Sequence, residues 1–210
     1  MKLFGKTIDK KWFENYWYYY KSHTIVGFFV LLIVVYSAVE CANRVTPDVS
    51  VTYIGSHFLN EDFVTNFEQQ LSEGIEDINN DGIKNIQFLL IHISGEVKSE
   101  QDFAMQQKAQ LEMTVGESTL FILDENHFNL FNEQGLFLDI APFVGQEGPI
   151  YGLNASDSQI LSDLGIQSDD DIYVVLRVLN QGDEKKEERV ANHDNAKRIL
   201  TQLFSNTNSH

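Results

Sequence analysis

Residues 24–39, TIVGFFVLLIVVYSAV, run for sixteen positions without a charge. A helix rises about 1.5 Å per residue, so this run makes a rod of roughly 24 Å against a hydrocarbon core of about 30 Å. Its flank lengthens the reach. Trp17, Tyr18, Tyr19 and Tyr20 bring amphipathic rings of the kind favoured at headgroup level, and the Lys21 stem is long enough to carry its ammonium to water. The expected organisation is a basic, aromatic cytoplasmic leader at 1–23, a transmembrane signal anchor at 24–42 and a linker at 43–48. A globular extracytoplasmic part at 49–204 and a polar, disordered tail at 205–210 follow.

Five lysines (Lys2, Lys6, Lys10, Lys11, Lys21) against Asp9 and Glu14 place the N-terminus in the cytoplasm and the globular part outside the cell membrane. A cleaved signal peptide shares the basic start and the apolar run. Cleavage after Ala38 or Ala42, however, puts Tyr36 or Glu40 where the peptidase wants a small residue, and Glu40 before Cys41 does not fit a lipoprotein signal. An uncleaved anchor is therefore expected. Beyond the apolar run, counting from Glu40, ten basic residues face 29 acidic ones, a balance of −19 that repels nucleic acid and anionic lipid. Some 155 residues suffice for one domain with a core. Cys41 is the only cysteine, so no intramolecular disulfide forms and the domain must stand on packing.

The pattern after residue 48 alternates strand and helix. VSVTYIG (49–55) reads as a strand, and Phe63, Phe67, Leu71 and Ile75 recur every fourth residue on a helix capped by Asn60 or Ser56. IQFLLIHI (86–93) is a second strand. Ser99 caps a second helix, with Phe103, Met105, Leu111 and Val115 as its apolar register to residue 115. STLFIL (118–123) is a third strand, with a short helix carrying Phe128 and Phe131 before Gly135. A looser stretch, 136–171, includes the acidic turn Asp169, Asp170, Asp171. IYVVLRVL (172–179) and a last helix with Val190, Ala196, Ile199, Leu200, Leu203 and Phe204 close the chain. Near-continuous apolar strands between amphipathic helices predict a three-layer α/β domain with a mostly parallel sheet.

The segment 108–140 carries a further signature: Gly116, then Leu120 to Leu123 ending in Asp124, then Phe128 and Phe131, then Gly135, Leu136, Leu138 and Asp139. In this it resembles the first lobe of the extracellular solute-binding proteins of ATP-driven importers, over residues 49–142 and the final strand and helix. The resemblance implies a single lobe, since two-lobed members run to about twice this length and trap ligand between closing lobes. It also implies a binding crevice at the carboxyl ends of the strands. Gly55, Ser56 and His57 after the first strand, Ser94 and Gly95 after the second, and Asp124, Asn126 and His127 after the third are the candidate ligand-binding residues.

Asp77-Ile78-Asn79-Asn80-Asp81-Gly82 has the start of a calcium loop, with oxygen donors Asp77, Asn79 and Asp81 at alternate positions and a glycine for the turn. Its twelfth position is Phe88 rather than a bidentate glutamate, so a calcium site here needs a remote carboxylate such as Glu73 or Glu76. A plain helix-to-strand turn uses the same residues. Six histidines show no metal-ligand spacing, and no H-E-x-x-H, G-x-S-x-G or P-loop is present. Asn154-Ala155-Ser156 fits the glycosylation sequon. The leading expectation is a non-catalytic, membrane-tethered interaction or accessory module with a protein partner in the membrane or envelope and no cofactor. A reduced solute-binding or sensing protein with a small-molecule ligand comes second, and an envelope hydrolase third.

Overall fold

The computed structural model describes residues 2–3, 6–7, 10–42, 46–93, 99–166 and 171–205, with side chains described from residue 14 on but not at 40–42. Ser94, Gly95, Asp169, Asp170 and the tail from 206 lie outside the described residues. The chain forms two compact units, 1–45 and 46–210.

In the first unit, strands β1 (Lys2–Leu3) and β2 (Lys6–Thr7) pair antiparallel ahead of helix α1 (Lys10–Ala42). The helix starts well before the apolar run because no glycine or proline interrupts the aromatic leader. Tyr16 and Tyr20, one turn apart, stack at 5.4 Å. Within Glu14–Val39 an 18-residue window has a mean hydropathy of 2.1 and none of it is buried, so by length and composition this helix is able to span a membrane.

The second unit is an α/β domain built on five strands. Its elements are β3 (Val49–Gly55), α2 (Glu61–Leu71), β4 (Ile86–His92), α3 (Glu100–Val115), β5 (Leu120–Asp124) and α4 (Glu125–Glu133). They continue with α5 (Ala141–Val144), β6 (Leu153–Asn154), α6 (Gln159–Asp163), β7 (Ile172–Leu176) and α7 (Glu187–Phe204). The sheet order is β4-β3-β5-β7-β6. β3 pairs parallel with β4 and β5, whereas β7 pairs antiparallel with β5 and β6.

The sheet is therefore mixed, which corrects the expectation of a mostly parallel one. Asp124 at the end of β5 stands opposite Ile172 at the start of β7, so these two strands run in opposite directions, and β6, from the segment between them, pairs antiparallel on the other side of β7. Strand direction leaves no mark on the sequence, because β7 is covered on both faces like its parallel neighbours.

Alternation assigns the two cores. Val49, Val51, Tyr53, Leu120, Ile122, Ile172, Val174 and Leu176 face α2 and α7. Ile54, Ile91, Phe121, Leu123 and Val175 face α3 and α4. Three layers result, as the pattern predicts. Asn60 caps α2 by accepting from the Phe63 amide at 2.8 Å, and Ser99 forms a reciprocal capping box with Asp102 on α3. α3 corrects one detail. It buries Ala109 and Met113, leaving Phe103, Leu111 and Val115 exposed at 55%, 61% and 67%. At about 100° per residue, the stripes 105/109/113 and 103/111/115 lie on opposite sides of the helix. Small Ala109 lets the backbone approach the sheet closely, and that side wins.

Candidate functional site

The carboxyl ends of β3 and β5 lie side by side in the sheet, and the residues that terminate them are tied together. Asp124, 7% exposed, caps α4: its Oδ1 accepts from the His127 amide at 3.0 Å and meets the His127 ring Nδ1 at 2.6 Å. Its Oδ2 accepts from the Ser56 amide at 3.0 Å. Burial by itself raises the carboxyl pKa. The hydrogen bonds from the His127 ring and amide, with the adjacent ring and the Ser56 amide, outweigh it and hold Asp124 below the ordinary range. With Nδ1 engaged, Nε2 is the remaining polar atom of the imidazole.

A second tie fixes the loop after β3. Tyr53 Oη accepts from the His57 amide at 3.0 Å, folding the phenol back over the strand end. A Cβ on Gly55 would stand 2.5 Å from that hydroxyl oxygen and 3.3 Å from Asp124 Cβ, so the closeness of the two strand ends depends on glycine at this position.

His127 forms part of the wall of a cavity of about 260 Å³ between α3 and α4. Phe103, Leu130 and Phe131 give it an apolar lining, and Gln106 and Gln107 supply amides. The exposed Phe103 stands at the rim of this groove. Of the candidate ligand residues, the fold brings Gly55, Ser56, Asp124 and His127 together. The His57 side chain is exposed beside them, Asn126 is exposed on the first turn of α4, and Ser94 lies outside the described residues.

A larger depression, about 680 Å³, opens elsewhere on the domain, around Thr46, Glu76, Asp77, Asn79, Glu187 and Glu188. The calcium-like loop forms part of its wall. Asp77 Oδ2 accepts from the Gly82 amide, Asn79 Oδ1 from the Asp81 amide and Asp81 Oδ1 from the Ile83 amide, each at 2.8 Å. Asn79 also donates to Thr46. These contacts make a turn in which each side chain caps a nearby amide. Among the described residues, no three His, Cys, Asp or Glu side chains are grouped to hold a metal ion. Asp48 clamps the turn from beneath: fully buried, it accepts from the amides of Ile78 and Asn85 at 2.8 Å each.

Two buried polar residues escaped the sequence reading. Arg177 donates to the carbonyls of Glu112, Met113 and Gly116, closing the C-terminus of α3, where a cation is favoured. A lone arginine within the apolar run IYVVLRVL was the available signal. His193 Nε2 meets the Arg177 carbonyl at 3.1 Å from α7, at a position with no distinguishing sequence feature. Comparison with known protein families, with curated proteins and with solved structures gives no match.

Proposed function

We propose that this protein is a membrane-tethered, non-catalytic interaction module, anchored by α1 with its α/β domain outside the cytoplasm, and that the groove between α3 and α4 seats an anchor side chain of a protein partner. The carrying observation is the cavity's size and lining. At about 260 Å³ it falls below the range of roughly 300–1,000 Å³ typical of drug-sized ligands. It suits a single apolar or aromatic side chain, with Gln106, Gln107 and His127 available to its polar surroundings. The apolar residues at the rim, Phe103 and Leu130, are exposed in the free domain, as expected of a surface a partner covers. The resemblance of residues 108–140 to a solute-binding lobe is the ground for placing that partner within a transporter or envelope complex.

The test is recovery of partners from the native membrane in mild detergent, comparing the wild type with Phe103→Ala and Leu130→Ser. A partner held at near-equal amount by the wild type and lost by both variants supports the reading. A partner retained by both, or bait alone, overturns it.

A second reading is favoured by the Asp124–His127 pair, whose buried carboxylate orients an imidazole toward a concave site. It is the capture of a small solute at the strand ends. That reading requires a solute to raise the melting temperature of the domain and His127→Ala to cancel the rise.

A further inference from the structure

The wall of the groove between α3 and α4 holds one polar atom whose chemical form is fixed. The His127 side chain is 14% exposed, and its ring lies 6.3 Å from that of Phe131. Its Nδ1 stands 2.6 Å from Asp124 Oδ1, which also accepts from the His127 amide, while Oδ2 accepts from the Ser56 amide. A carboxyl group that accepts on both oxygens is held as the carboxylate, so Nδ1 is the donor and carries the ring proton. In the neutral imidazole Nε2 is then without hydrogen and is an acceptor. Among the described residues, nothing donates to it.

The rest of the wall narrows what can enter. Apart from His127 it is apolar or amide, and it carries no charge. Gln110 of α3 reaches Gln134 at the C-terminal end of α4, tying the two helices together. A charged side chain would therefore enter without an ionic partner, since both oxygens of the buried Asp124 are already engaged. An aliphatic side chain or a phenylalanine would displace water from Nε2 and offer no hydrogen in return, leaving a covered acceptor unmet. Tyrosine and tryptophan meet both conditions, because each joins a flat apolar body to a single donor at its edge.

On the footing that the groove seats a partner's anchor, we infer that it selects a tyrosine or tryptophan. The ring packs against Phe103, Leu130 and Phe131 within the cavity of about 260 Å³, and the O–H or indole N–H donates to His127 Nε2. His127 is then the residue that sets specificity, and Asp124 positions it by fixing the tautomer.

The test uses the full chain in mild detergent at mildly alkaline pH, with nitrogen-15 in its histidines. It is titrated with three neutral, water-soluble probes: N-acetyl-tyrosinamide, N-acetyl-tryptophanamide and N-acetyl-phenylalaninamide. In the free chain the His127 spectrum should show the proton on Nδ1. The tyrosine or the tryptophan probe should bind about tenfold more tightly than the phenylalanine probe and should move the Nε2 resonance, as a hydrogen bond to a covered acceptor requires. His127→Phe keeps a ring beside Phe131 but removes the acceptor, and it should bring the three probes to one affinity. Should that variant fail to fold, the wild-type ranking and the Nε2 resonance decide by themselves. A proton on Nε2 in the free chain, or an equal or reversed ranking in the wild type, overturns the inference and leaves the groove as a seat for some other anchor. Failure of all three probes to bind at millimolar concentration overturns the inference and the seat together.

Discussion

Gly55 shows how one residue sets the candidate site. Any side chain there meets the Tyr53 hydroxyl, so Gly55→Ala must shift the phenol, the amide of His57 it accepts from, or the strand end beside Asp124. We expect Gly55→Ala to destabilise the domain by about 1–3 kcal/mol, the usual cost of overpacking, measured by guanidinium unfolding of residues 46–210. Asp48→Ala leaves two half-buried amides without their acceptor and should cost about 1–3 kcal/mol in the same assay.

His193 gives a pH signature. Burial first, and then nearby Lys197, lower its folded pKa below the ordinary 6.5, while the unfolded chain keeps the ordinary value. The unfolded state therefore binds the proton first, so stability is full above 6.5 and is lost as pH falls below it toward the folded pKa. Asp124 behaves as a depressed carboxylate: its contribution is full above 3.8 and is lost only below that value. The expected outcome is a melting temperature that declines between pH 7.5 and 5.5 in the wild type and stays flatter in His193→Gln.

At the scale of elements, α3 decides which surface is core and which is groove. Its Met113 is fully buried, so Met113→Ala should cost about 2–5 kcal/mol, whereas Leu111→Ser on the opposite side should stay within about 0.5 kcal/mol. Equal losses at the two positions, read by urea unfolding, would reverse the assigned faces. The helix shows where a periodic pattern misleads. Apolar residues stand on both sides of α3, and spacing alone selects the stripe with the larger side chains. The sheet selects the stripe with the small one, because Ala109 allows closer packing.

At the scale of the whole molecule, α1 makes a direct prediction: the full chain should stay with the membrane under alkaline carbonate extraction, and a chain lacking residues 1–45 should be soluble. Release of the full-size chain by carbonate would exclude a spanning anchor. Much of the rest was legible in the residues. Uncharged length marked α1, four-residue spacing marked α2, and Asn60, Ser99 and the glycine after α4 marked element ends, since those signals are local and act through backbone geometry and solvation. The strand ends bearing Gly55, Asp124 and His127 were named from topology by resemblance, and the fold does bring them together.

The direction of β7, the working face of α3, the clamp that Asp48 places on the turn after α2, and the buried roles of Arg177 and His193 were not legible. Each depends on partners tens of residues away, and an apolar or polar residue looks the same in sequence whichever distant neighbour it meets. The chain by itself determined which segments bury their surface and where they end; only the tertiary structure decided which surfaces meet. Burial is a property of one segment's composition, whereas pairing is a choice among competing neighbours settled by packing.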